Sequence, residues 1–269
     1  MKCWVSGGTG RIREALVERL TEHYVLTHEE SEADVVFIMP QPIHQVAPII
    51  HRLSSKPVID FSSFTKLNTT EGYALAYLLF PDETRSPAAL WDTGHVAIAG
   101  CFASSVLIPI NYLAHYCGLK PDNISAFCLG GIETDTTSDQ RMERWSRQAS
   151  EKSLKNHRFE VEKFLLGNAR TQMSITVADL DHSIETTVHI SCPGHGLDSS
   201  MTLRYAAQDC RWYQDDTERA SADDVLVRFV PTSSDTLTAY VTLDNVHFLV
   251  HLAMASLSLL STEHSESQA

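Results

Sequence analysis

Short runs that are apolar at every position punctuate the first hundred residues, and each stops at a turn signal. Asp34-Val35-Val36-Phe37-Ile38-Met39 ends at Pro40-Gln41-Pro42, and Pro57-Val58-Ile59-Asp60-Phe61 follows a helical stretch over 43–53. Such runs mark strands buried on both faces of a parallel sheet. Further strands are predicted over 2–6 and 24–27. Between them an amphipathic helix over 14–23 puts Ala15, Leu16 and Leu20 on one face. This alternation predicts a Rossmann-like, doubly wound α/β sheet. Residues 66–94 read as loop-rich with a short helix near 87–91; a strand over 96–98 and a helix over 104–116, interrupted by Pro109, come next.

Past that helix the periodicity changes. Residues 124–128 read as a strand ending in Leu129-Gly130-Gly131, and 140–165 as one long, highly charged helix. Strand patterns then dominate, over 171–177, 185–191, 225–230 and 236–243, before a very apolar helix over 244–260 that is expected to pack back on the first domain. The pattern predicts a Rossmann-like domain over 1–127 with 244–269, and an α+β domain over 128–243.

Composition narrows the function classes. With 269 residues, 43% hydrophobic and 20% charged, the chain reads as an ordinary globular protein. Its formal net charge of -13 argues against nucleic acid or an anionic membrane as partner. No apolar run reaches membrane length and no N-terminal signal precedes the first strand, so a cytoplasmic location is expected. Cys3, Cys101, Cys117, Cys128, Cys192 and Cys210 lack paired spacing and read as reduced thiols.

Three stretches carry candidate chemistry. Gly7-Gly8-Thr9-Gly10-Arg11-Ile12-Arg13, between the first strand and first helix, is a dinucleotide-type turn whose backbone can approach a pyrophosphate. Arg13 stands where the last glycine of the fingerprint belongs. Glu29, about 20 residues on, is either a ribose ligand or a solvated turn. In Gly100-Cys101-Phe102 a cysteine meets a helix start, where N–H groups stabilise a thiolate and can hold an oxyanion; the other reading is a packed, inert thiol. Arg141, Arg144 and Arg147 form either a phosphate- or carboxylate-binding face or a solvated one. His189, Cys192 and His195, with His182 upstream, make an incomplete ligand pattern, and no metal is expected.

In order along the chain, Gly7-Gly8-Thr9-Gly10, Ala33-Asp34-Val35-Val36-Phe37, Val58-Ile59-Asp60-Phe61-Ser62, Phe80-Pro81-Asp82-Glu83, Gly100-Cys101-Phe102-Ala103, His157-Arg158-Phe159-Glu160-Val161 and Asp244-Asn245 resemble N-acetyl-γ-glutamyl-phosphate reductases. That family belongs to the aspartate-semialdehyde dehydrogenase superfamily, and the resemblance implies a nucleotide-binding role for 1–127 with 244–269 and makes 128–243 the substrate and dimerisation domain. The resemblance implies a Cys101 nucleophile that forms a thioester from an acyl phosphate, with His157 as general acid–base. It implies NADP or NAD held by Gly7, Thr9, Gly10, Arg11, Ile12 and Asn245, with Arg141, Arg144 and Glu160 on the substrate, and a homo-oligomer. The chain departs from the family at Ile98-Ala99, at Arg13, at His182-Ser183, and at Phe248, Leu249 and Ala253, where apolar side chains stand in place of nicotinamide-lining ones. Two rival readings stay open: a cofactor-independent acyl transferase or hydrolase using the same Cys101 thioester, and a non-catalytic relative.

Overall fold

The computed structural model describes residues 1–53, 55–68, 72–81, 86–131, 146–148, 151–165, 169–178, 183–214, 216–219 and 221–266. The first part runs β1 (Lys2–Ser6), α1 (Arg11–His23), β2 (Val25–Leu26), β3 (Val35–Ile38), α2 (Ile43–Arg52) and β4 (Val58–Asp60). It continues through α3 (Ser63–Asn68), α4 (Ala74–Leu78) and β5 (His95–Ala97). The second part runs α5 (Cys101–Tyr116), β6 (Asn123–Gly131), β7 (Ser146–Gln148), α6 (Glu151–Phe164), β8 (Arg170–Ala178) and β9 (Ser183–Ser191). It closes with β10 (Met201–Ala206), β11 (Arg211–Gln214), β12 (Val225–Pro231), β13 (Thr236–Asp244) and α7 (Asn245–Glu266).

Two compact bodies result: Met1–Ala99 with Leu249–Ala269, and Gly100–Phe248. The boundary at Gly100 differs from the expected one at 127/128, because α5 packs on β6, β9, β13 and α6 of the second sheet. The first body holds a five-stranded, all-parallel sheet in the order β2-β1-β3-β4-β5. Its β3 is buried at all four positions, as the continuous apolar run requires. This is the doubly wound order whose switch point lies between β1 and β3. The end of α7 belongs to this body, where the Trp91 indole N–H donates to the Ser256 carbonyl at 2.8 Å.

The second body is built on a mixed sheet in the order β11-β10-β12-β13-β9-β6-β8-β7. Alternate residues point inward: Ile124, Ala126 and Cys128 on β6, Ile184, Thr186, Val188 and Ile190 on β9, Val225, Val227 and Phe229 on β12. Strands β6 and β8 are parallel, so the chain between them must cross over the sheet, and α6 is the helix of that crossover. It therefore packs beside α5.

Several expectations need correction. Among the described residues of 140–165, β7 and a shorter α6 stand in place of the one long helix predicted, with Ser146–Gln148 pairing antiparallel to β8. Backbone pairing with a long neighbouring strand overrides the local helical preference of that charged stretch. Arg147 consequently lies on a strand, while Arg141 and Arg144 lie outside the described residues. The helix after Gly100 begins at Cys101 rather than 104, the pattern gives no sign of β10 or β11, and the stretch read as loop contains α4 and the end of α3.

At the far end of the second sheet, Arg204 bonds Asp216 at 2.7 Å and Asp224 at 3.0 Å. Asp224, 1% exposed, also accepts the Ala207 N–H at 2.9 Å. Replacing Arg204 by Ala leaves that carboxylate buried without its cation, and is expected to cost about 3–5 kcal/mol of stability, read as a shifted urea midpoint. The Arg204 guanidinium bonded to Asp216 also holds that carboxyl below its ordinary range. Its contribution is complete above the ordinary carboxylate pKa and is lost as pH falls through the lowered one.

Candidate active site

The site is assembled from two helices of the second body. On α6, His157, Glu160 and Val161 recur at i, i+3 and i+4; Glu160 and Val161 are buried, while Arg158, Phe159 and Glu162 face outward. Arg158 and Glu162 pair along that outer face at 2.8 Å. The inner stripe is directed at the start of α5. Glu160 Oε1 accepts the Gly100 backbone N–H at 2.8 Å, so the carboxylate fixes the residue that immediately precedes Cys101. Glu160, 2% exposed, thus braces the Cys101 turn.

His157 touches both chain neighbours of Cys101. A Cβ added at Gly100 would lie 2.9 Å from His157 Cε1 and Nδ1 and 2.9 Å from Glu160 Oε2. On the other side the Phe102 ring meets the imidazole edge-to-face, with centroids 5.4 Å apart and planes at 81°. The histidine is therefore placed against the Gly100-Cys101-Phe102 turn by contacts on either side of the thiol. Cys101 is the first residue of α5 and is partly exposed.

Gly100 has φ -66°, a value any residue adopts, so its glycine is required by space and not by backbone conformation. Gly100→Ala is expected to leave the fold intact, with a loss of about 1–3 kcal/mol from overpacking. The methyl group displaces His157 and Glu160, and turnover should fall about 10²-fold. Thermal melting and steady-state rates, measured together, separate the two effects.

The other thiols have different surroundings. Burial pushes Cys3 and Cys128 up to about 11, and also raises Cys192 and Cys117. Cys128 sits on the inner face of β6 beside the Ser105–Thr186 hydroxyl pair, whose oxygens are 2.7 Å apart. The His189–Cys192–His195 group does not converge on an ion. His189 Nδ1 is 3.0 Å from Thr238 Oγ1 and His195 Nε2 is 2.6 Å from the Ser233 carbonyl. No cluster of three potential metal ligands occurs among the described residues.

The glycine turn lies in the first body. Gly7, Gly8 and Gly10 have φ of 67°, 65° and 109°, so this turn needs glycine for its backbone. Gly10 is the N-cap of α1 and, as a glycine, supplies no side-chain cap of its own, and the amides of Arg11 and Ile12 open the helix beside it. Thr9 is exposed. Across the switch point, the Gln41 amide lies where a Gly7 side chain would be, and its Nε2 is buried with no hydrogen-bond partner among the described residues. Backbone donors at a helix start plus an orphaned buried amide fit an anionic oxygen such as a phosphate. Glu29 is a turn residue whose N–H bonds Thr27 Oγ1 at 3.1 Å. Asn245 opens α7 in the second body and is buried; the neighbouring Asp244 caps the helix, its Oδ1 accepting the Val246 and His247 N–H groups at 2.9 Å each. Phe248 and Leu249 are core residues.

No family model matches the sequence, and no curated protein matches it. Solved structures do. Aspartate semialdehyde dehydrogenase II from Vibrio cholerae, crystallised as a complex with ASA, superposes with a TM-score of 0.66 at 14% identity over 97% of this chain and 98% of that one. Aspartate semialdehyde dehydrogenase with NADP from Candida albicans gives 0.64 at 10% identity, again over 97% and 98%. The enzyme from Francisella tularensis gives 0.64 at 10% identity over 96% of this chain and all of that one. The fold is thus the Rossmann-like sheet plus mixed-sheet body of aspartate semialdehyde dehydrogenases, as the sequence pattern predicts. No helix among the described residues is long and apolar enough to cross a membrane.

Proposed function

We propose that the protein reduces an amino-acid-derived acyl phosphate to an aldehyde through a thioester on Cys101, in the manner of N-acetyl-γ-glutamyl-phosphate reductases. The observation that carries this reading is the placement of His157 against both chain neighbours of Cys101. His157 takes the thiol proton, and the Cys101 sulfur adds to the acyl carbonyl as the carbon–oxygen bond to phosphate breaks and phosphate departs. NADPH or NADH, when bound, supplies the hydride that reduces the resulting thioester. The protonated His157 then gives its proton to the oxyanion on the former carbonyl oxygen. In the last step it takes that hydroxyl proton back as the carbon–sulfur bond breaks, and the released thiolate regains it. The aldehyde leaves and the enzyme returns to its starting state.

The glycine turn with Arg11, Ile12 and the Gln41 amide would hold the nucleotide phosphates, with Thr9 exposed beside them. The first body would then be the nucleotide domain and the second the substrate domain. A homo-oligomer is part of the proposal. Phe127 and Tyr240, 49% and 48% exposed, stand on one face of the second sheet, linked through Thr187 in the strand register. Location in the cytoplasm belongs to the same reading.

The test is a panel of acyl phosphates of N-acylated and free amino acids, assayed for consumption of NADPH and NADH. Nucleotide oxidation in step with phosphate release is the expected result. Phosphate release with neither nucleotide consumed would move the reading to the cofactor-independent acyl transferase or hydrolase.

A further inference from the structure

We propose that Phe102 is the positioning residue for His157, and that Gly130 lacks a side chain in order to seat it. The inference rests on the reading of His157 as the acid–base partner of Cys101. It assigns a task to two residues that the reaction itself does not use.

Gly130 lies in β6, paired with Val177 on one side and Ile184 on the other. A glycine inside a strand gives up packing and backbone entropy, so a space requirement is the usual reason for one. Its backbone φ is not in the left-handed region, so conformation does not demand it. Space does: a Cβ at Gly130 would lie 2.6 Å from both Cε1 and Cζ of the Phe102 ring. Gly130 continues the inward-facing series of Ala126 and Cys128, so the missing side chain is a hole in the inner surface of the sheet. Phe102 fills that hole.

From that seat Phe102 presents its ring to His157, which also packs against Gly100. The imidazole torsion χ2 is intrinsically broad, so neighbouring walls must select its angle. Edge-to-face contact of this kind contributes beyond simple burial. Proton transfer to and from a neighbouring thiol depends on that angle, because reacting groups must be aligned as well as close. If Phe102 were only core filler, its loss would lower stability and leave the reactivity of the folded protein untouched.

The probe is iodoacetamide, with alkylation of Cys101 followed site by site by mass spectrometry across pH. Wild type is compared with His157→Asn, Phe102→Leu, Gly130→Ala and the Phe102→Leu, Gly130→Ala double variant, each verified as folded by circular dichroism. The His157-dependent part of the rate is the difference between wild type and His157→Asn. Phe102→Leu is expected to remove about 90% of that part, a tenfold loss. Gly130→Ala keeps the ring but unseats it, and should match Phe102→Leu. In the Phe102→Leu background the same alanine fills vacated space and should cause no further loss. Should Phe102→Leu not fold, Gly130→Ala carries the test.

A folded Phe102→Leu or Gly130→Ala protein with wild-type Cys101 kinetics overturns the role of Phe102. A His157→Asn protein with wild-type kinetics overturns instead the underlying reading of His157, and the two failures are separate.

Discussion

Replacing Cys101 by Ala is expected to lower turnover by four or more orders of magnitude, as removal of a covalent nucleophile does. The fold should be untouched, because Cys101 is partly exposed at the first position of α5 and leaves no buried cavity when shortened. The matching replacement at Cys128 behaves in the opposite way. That thiol is fully buried and pushed up to about 11, so Cys128→Ala loses stability through a small cavity and keeps its activity. Steady-state rates and melting curves on the two variants distinguish a nucleophile from a packed thiol. Loss of activity in both would tie it to folding alone.

His157→Asn is expected to lower kcat by 10²–10⁴-fold, the ordinary contribution of a positioned general acid–base. The Michaelis constant should move little, because His157 is assigned to protons and not to substrate binding. Stability should change modestly. His157 is half-buried, and the stripe it shares with Glu160 and Val161 keeps both of those residues and the Glu160–Gly100 hydrogen bond. A rate unchanged from wild type would remove the acid–base role. A raised Michaelis constant with kcat intact would make His157 a substrate ligand instead.

Elements whose signal is local were legible from residue patterns alone. The continuous apolar run at Val35–Ile38 is a strand of the parallel sheet, and alternation over Ser183–Ser191 is a strand with one buried face. The turn at Gly7 to Gly10 is what its glycines suggest, since all three have positive φ. Cys101 at a helix start was legible too, although the helix begins three residues earlier than the apolar pattern indicates.

What could not be read depends on partners distant in sequence. Nothing around Ser146–Gln148 announces a strand; it forms one because β8 offers an edge. The carboxylate of Glu160 reaches a backbone amide 60 residues away, a brace that no local pattern announces. Gly100 and Gly130 look alike on paper to Gly7 or Gly10, yet they are glycines for want of space, against His157 and Phe102. Asp244, matched beside Asn245 by the resemblance, serves as a helix cap. The placement of α5 with the second body follows from its packing on β9 and β13, strands more than 60 residues downstream.

The central claim is that the Cys101 thiol, served by His157, accepts an acyl group from an acyl phosphate. It is tested most directly by incubating the protein with acetyl phosphate in the absence of nucleotide, then locating any added mass by peptide mass spectrometry. One acetyl group on Cys101 is expected, released by hydroxylamine and formed far more slowly in His157→Asn. Acetylation spread over several thiols or lysines, or none at Cys101, would contradict it.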